Sequence, residues 1–118
     1  MDGKLRNMAG LYLRHGNQLL LLYRIGSRVI SDSYTASAGG HFEQDELNDA
    51  KACVLRELYE ETRLTEQDID NLSLRYVTLR LKNGELRQNY YFFADLIDHA
   101  KEITSNEGNL EWFQMEEF

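Results

Sequence analysis

One segment of helical period divides this chain into two groups of strands. From about Asp49 to Thr62 the row DAKACVLRELYEET holds strong helix formers with neither Gly nor Pro, and Asn48 stands before it as an N-cap. The rows around it have another character. LRNMAGLYL (Leu5 to Leu13) and LLLLYRI (Leu19 to Ile25) read as strands joined by the turn residues HGNQ, a hairpin. The second row is apolar through most of its length, as expected of a strand covered on both faces. SRVISDSYTASA, residues 27–38, reads as a loop and then a short strand ending at Gly39-Gly40. Beyond the helix and the polar stretch TEQDIDN, LSLRYVTLRL (Leu72 to Leu81) and RQNYYFFADL (Arg87 to Leu96) flank Asn83-Gly84, a strong hairpin signal. A polar, acidic loop leads to a last short strand, LEWFQM (Leu110 to Met115). Strands, one helix, then strands predict an α+β or mixed α/β sandwich with a substantially antiparallel or mixed sheet.

At 118 residues with 42% hydrophobic content, one domain over 1–118 is expected. No continuous apolar run is longer than that of Leu19 to Tyr23, too short to span a membrane or form a signal-peptide core, so a soluble cytoplasmic protein is expected. The single cysteine, Cys53, excludes an internal disulfide framework and agrees with a reducing compartment; it reads as small apolar filling on the helix. His15, His41 and His99 are scattered and, with one Cys, give no zinc spacing. The net charge of −7, from 20 acidic and 13 basic residues, argues against a nucleic-acid polymer as ligand. A small polyanion can still bind if metal cations mediate the contact.

The row RELYEET crowds Glu57, Glu60 and Glu61 onto the C-terminal half of the helix. With Glu57 at zero on a helical wheel, Glu60 falls near about −60° and Glu61 near about +40°, so all three point one way. Leu47, Val54, Leu55 and Leu58 form an apolar stripe beside them, able to dock on the sheet and hold the acids at a cleft edge. Two readings compete. A charge cluster can be a solvated face. Here, however, the acids repel one another, the helix dipole disfavours negative charge at this end, and only Arg56, four residues before Glu60, compensates locally. Three carboxylates without His or Cys are hard oxygen ligands suited to Mg²⁺ or Mn²⁺, which are commonly shared with substrate phosphates. That chemistry is metal-assisted phosphoryl transfer or hydrolysis.

These residues resemble the signature of the Nudix hydrolases, G-x5-E-x7-R-E-U-x-E-E-x-G-U, where U is a bulky aliphatic. Gly40 and Glu46 match the opening, Arg56-Glu57-Leu58-Tyr59-Glu60-Glu61 the centre and Leu64 the end. The chain departs twice: nine residues, not seven, separate Glu46 from Arg56, and Arg63 stands where the family has glycine. The first departure weakens the expectation that Glu46 pairs with Arg56; the second bears on how the helix ends.

The resemblance implies an α/β/α sandwich, with a C-terminal helix that this chain, stopping at MEEF, would lack. It implies that Glu57, Glu60 and Glu61 bind divalent metal, with Glu57 also a candidate general base, Arg56 orienting it and the Gly39 carbonyl as a further ligand. Glu107, in NEGNLEW, sits where some relatives carry a completing carboxylate; an ordinary loop acid is the other reading. Gly40, Arg24 and Arg87 are candidates for substrate contact, Arg24 and Arg87 to phosphate, although exposed strand-end arginines read the same way. His41 is a loop histidine next to the glycines. Tyr34 and the row Tyr90-Tyr91-Phe92-Phe93 include rings able to stack on a base, with alternate positions facing the core. The chain looks like small bacterial members described as 8-oxo-dGTP diphosphatases, which implies hydrolysis of a nucleoside triphosphate to a monophosphate and pyrophosphate with Mg²⁺ or Mn²⁺. The alternatives are a nucleotide-sugar or dinucleotide pyrophosphatase, or a non-catalytic nucleotide-binding module. A monomer and a homodimer are equally compatible with the sequence.

Overall fold

A computed structural model describes residues 4–24, 34–98 and 103–115. Its elements follow the order β1 (Lys4–His15), β2 (Gln18–Arg24), β3 (Tyr34–Thr35), β4 (Ala38–His41), α1 (Ala50–Thr62), β5 (Ile69–Lys82), β6 (Glu85–Leu96) and β7 (Gly108–Gln114). Short 3-10 turns at Gln44–Glu46 and Glu66–Asp68 flank the helix. The seven strands form one sheet ordered β3-β2-β1-β6-β5, with β4 also paired to β1 and β7 to β2. β1 runs parallel to β6, whereas the other pairings are antiparallel. This is the mixed sheet with a packed helix that the order of periods predicts. Among the described residues one α-helix covers one sheet face, and no second helical layer is present among them.

The hairpins fall where turn chemistry places them. Gly16 adopts a positive φ between β1 and β2, and Asn83 and Gly84 both do so between β5 and β6, as the favoured two-residue turn demands. The core lies between α1 and the sheet. Cys53, Val54 and Leu58 of the helix meet Ala9, Leu11 and Leu13 of β1 and Phe92, Ala94 and Leu96 of β6, the alternate residues that face one way. Leu47 does not join them: it sits in the turn before the helix and is 55% exposed. The N-cap is Asp49 rather than Asn48, its carboxylate accepting from the Ala52 N–H at 3.0 Å.

What positions the site is a fork in β1. Its C-terminal end pairs with β2 through Leu13↔Leu20 to His15↔Gln18, while its middle pairs with β4 through Met8↔His41 to Leu11↔Ala38. Ser37, fully buried, closes the fork: its hydroxyl accepts from the Leu13 N–H and donates to the Leu20 carbonyl. β4 thereby lies under α1 and brings Gly39-Gly40 against the helix's acidic side.

Candidate active site

The glycines are dictated by contact. A Cβ on Gly39 would strike the main chain of Ala9 and Gly10, and one on Gly40 would lie 2.5 Å from the Glu57 carboxylate carbon. Both positions are therefore places where backbone must approach closely, the use for which glycine is suited. The Gly39 N–H donates to Glu61 Oε2 at 3.2 Å, so β4 and α1 meet at this carboxylate.

Arg56 organises the other side. Its Nε and Nη2 form a two-point pair with Glu46 at 2.7 and 3.0 Å, Nη1 reaches Glu57 at 2.9 Å and Glu60 at 3.0 Å, and Nη2 also donates to the His41 carbonyl at 3.0 Å. Glu46 thus pairs with Arg56 despite the lengthened spacing. The 3-10 turn folds it back, with the Glu43 N–H donating to Glu46 Oε1, and the Leu47–Asn48 turn takes up chain before the helix. The pair holds the Glu46 carboxyl below its ordinary range, with the Arg56 hydrogen bonds the main cause. Glu43, Asp45 and Glu46 also form a compact acidic group. Two of its members, Glu43 and Glu46, already face Arg56, which offsets part of its charge.

The helix ends at Arg63, which adopts the left-handed conformation, φ 67°, as a glycine would; its N–H returns to the Tyr59 carbonyl at 2.9 Å. The guanidinium lies 5.2 Å over the Tyr59 ring, an attraction that offsets part of the backbone cost.

Glu57, Glu61, Gly39, Gly40, His41 and Glu107 come together along a cleft of about 770 Å³. Met8, Tyr12, Tyr34, Asn89 and Tyr91 also line it. Three carboxylates face this space, and among the described residues no Lys or Arg lines it. Glu61 is the most confined: it is 6% exposed and its Oε1 is buried without a hydrogen-bond partner. Burial first, then its hydrogen bond to Glu57 and the charges of Glu57 and Glu107, push its carboxyl well above the ordinary range. An orphaned carboxylate oxygen among like charges is a donor set that fits a hard divalent cation.

The remaining candidates are distributed otherwise. Glu60 is not among the residues lining the cleft: its carboxylate, 53% exposed, pairs with Arg56 at 3.0 Å. Arg87 pairs with Glu85 at 2.8 Å and is not among the lining residues. Arg24 ends β2 opposite Gly108, and its side chain lies outside the described residues, as does His99. Of the aromatic candidates, Tyr34 and Tyr91 line the cleft, Phe92 is core, and Tyr90 packs on Phe42. Cys53 is fully buried and its thiol is pushed up to about 12, chiefly by burial, which removes it as a nucleophile. Met8, Gly10, Tyr12 and Asn89 are lining residues that the sequence did not single out. Only the alternation of β1 and β6, read together with their parallel pairing, would have exposed them.

The fold and the carboxylate-bearing helix define a metal-assisted hydrolase of the phosphoanhydride type. The sequence matches the NUDIX domain over residues 4–118, so the chain belongs to the Nudix family and is a Nudix hydrolase. Nudix hydrolases use divalent metals. Similar solved structures include a MutT NUDIX hydrolase from Burkholderia pseudomallei, with TM-score 0.75 and 20% identity over 96% of this chain and 85% of that one. The E. coli ORF135 protein matches with TM-score 0.71 and 19% identity over 97% and 76%, and a C. elegans Ap4A hydrolase binary complex with 0.70 and 19% over 95% and 82%. At these identities the likeness concerns the fold. No curated protein matches the sequence significantly.

Proposed function

We propose that this chain is a Mg²⁺- or Mn²⁺-dependent pyrophosphohydrolase of nucleoside triphosphates, with oxidised forms such as 8-oxo-dGTP within its substrate class. The observation that carries the reading is a cleft lined by Glu57, Glu61 and Glu107 together with Tyr12, Tyr34 and Tyr91, with no Lys or Arg among its described lining residues. Cations would offset the repulsion between these carboxylates and a polyphosphate, and the volume suits one nucleotide.

Glu57, Glu61, Glu107 and the Gly39 carbonyl would hold the metal, with Glu60 joining them by leaving Arg56. Bound there, a divalent ion supplies charge neutralisation on the phosphoryl oxygens and a more acidic water. Glu57 is the candidate general base. Arg56 fixes one of its oxygens at 2.9 Å and keeps the carboxyl oriented toward Gly40. Tyr12, Tyr34 and Tyr91 offer ring faces to the base, and Asn89 supplies a carboxamide in the same cleft.

A panel of canonical and oxidised dNTPs, sugar nucleotides and Ap4A, incubated with Mg²⁺ or Mn²⁺, tests the substrate. Pyrophosphate release from triphosphates is expected, and Glu57→Gln should lower kcat by about 10²–10⁴-fold. A dinucleotide polyphosphate is the second reading. It is favoured by two separate aromatic groups at the cleft, Tyr34 against Tyr23 and Phe113, and Tyr12 against Tyr91 and Phe93. Ap4A cleaved faster than every triphosphate would replace the first reading with the second.

A further inference from the structure

The C-terminal end of α1 leaves two carbonyls in need of donors. An α-helix would satisfy the Glu60 and Glu61 oxygens with the N–H groups four residues on. Those groups are engaged elsewhere: the Leu64 N–H donates to Thr62 Oγ1 at 3.2 Å and the Thr65 N–H to Asp68 Oδ2 at 2.8 Å. Asn106, far along the chain, supplies both missing donors. Its main-chain N–H reaches the Glu61 carbonyl and its Nδ2 the Glu60 carbonyl, each at 3.1 Å. The neighbouring residues form a tight turn, with the Glu107 N–H on Ser105 Oγ at 3.1 Å and Ser105 bridged to Gly108. Glu107 is the next residue after the anchor, and it lines the cleft with Glu57 and Glu61.

The geometry points to Asn106 as a positioning residue: by capping the last carbonyls of α1 it docks the 105–108 turn onto the metal helix and sets where Glu107 enters the site. The inference rests on the reading of Glu107 as a metal ligand. Asparagine is suited to the task because its carboxamide presents an N–H beside the main-chain N–H. Aspartate would offer only acceptor oxygens and a negative charge to carbonyls at the negative end of the helix dipole. Alanine would delete one of the two bonds without adding repulsion.

Mn²⁺ binding followed by electron paramagnetic resonance, together with hydrogen exchange of the 105–108 amides, tests this on the wild type, Asn106→Ala, Asn106→Asp, Glu107→Gln and the Asn106→Asp/Glu107→Gln double variant. Asn106→Asp should weaken Mn²⁺ binding about tenfold, on the scale of outer-shell partners, with Asn106→Ala intermediate. The double variant should bind no more weakly than Glu107→Gln alone, since both changes act through one carboxylate. The Asn106 amide should exchange faster in Asn106→Asp and stay protected in Glu107→Gln. If Glu107→Gln weakens binding while Asn106→Asp binds like wild type, or if the two losses add, Asn106 does not act through Glu107. If Glu107→Gln itself binds like wild type, the ligand reading fails and takes this inference with it.

Discussion

A methyl group at either glycine of β4 separates structure from chemistry, because the two would strike different things. At Gly40 the obstacle is the end of the Glu57 side chain, which can rotate away; at Gly39 it is main chain. Gly40→Ala should therefore fold with stability within about 1 kcal/mol of wild type and lose most of its activity, because Glu57 is displaced. Gly39→Ala should cost about 2 kcal/mol or more by forcing β4 from β1. Urea denaturation beside turnover would tell them apart. Arg63 makes the opposite case. Its left-handed backbone favours glycine, so Arg63→Gly should stabilise the protein by about 0.5–1 kcal/mol, less than the full backbone term because the contact with Tyr59 is lost. Glu46 has a pH signature. Its folded-state pKa lies below the unfolded value, so the stabilisation is fully present above the unfolded carboxylate range and is lost as pH falls through the folded value. Glu46→Gln should lose about 1–3 kcal/mol at pH 7, and its deficit against wild type should shrink in that acid window.

At the scale of elements, the fork in β1 depends on one hydroxyl. Ser37 satisfies a donor on β1 and an acceptor on β2 where the two strands part, in a site with no access to water. Ser37→Ala should destabilise by about 1–3 kcal/mol, whereas Ser37→Thr must also fit a methyl into a closed space and should not restore the loss. Melting curves of the two variants check this. The same elements explain what could be read beforehand. The helix, the Asn83-Gly84 hairpin and the acidic face were legible because each is written in local period or turn chemistry. The cap moved from Asn48 to Asp49 because both side chains can cap and only the backbone chooses. The parallel pairing of β1 with β6 left no local trace, and with it went the cleft wall of Met8, Tyr12 and Asn89. Asn106 was hidden for another reason: the carbonyls it caps belong to a distant segment, and only the fold brings them together.

Over the whole molecule, the acid-lined cleft ties stability to metal. The chain carries a net charge of −7, and Glu57, Glu61 and Glu107 share one cleft, so the folded state concentrates repulsion that the unfolded chain disperses. A cation bound there relieves the repulsion only in the folded state, and mass action turns binding into stability: at one hundred times Kd the gain is about 2.7 kcal/mol. Mn²⁺ or Mg²⁺ should thus raise Tm by about 10 °C in a domain of this size, and the gain should be largely lost in Glu57→Gln. The same variant gives up the Arg56–Glu57 ion pair, so without metal it should melt at or below the wild-type temperature. Its Tm line against metal concentration would then stay nearly flat, below that of the wild type. Screening by monovalent salt reduces the general attraction of an acidic surface for cations, but acts less on a partly buried cluster. A metal-induced shift that persists in raised NaCl, and is absent from Glu57→Gln, would place the stabilising ion among these carboxylates. One that vanishes with salt and appears equally in both proteins would mean that the ion is held by surface charge instead.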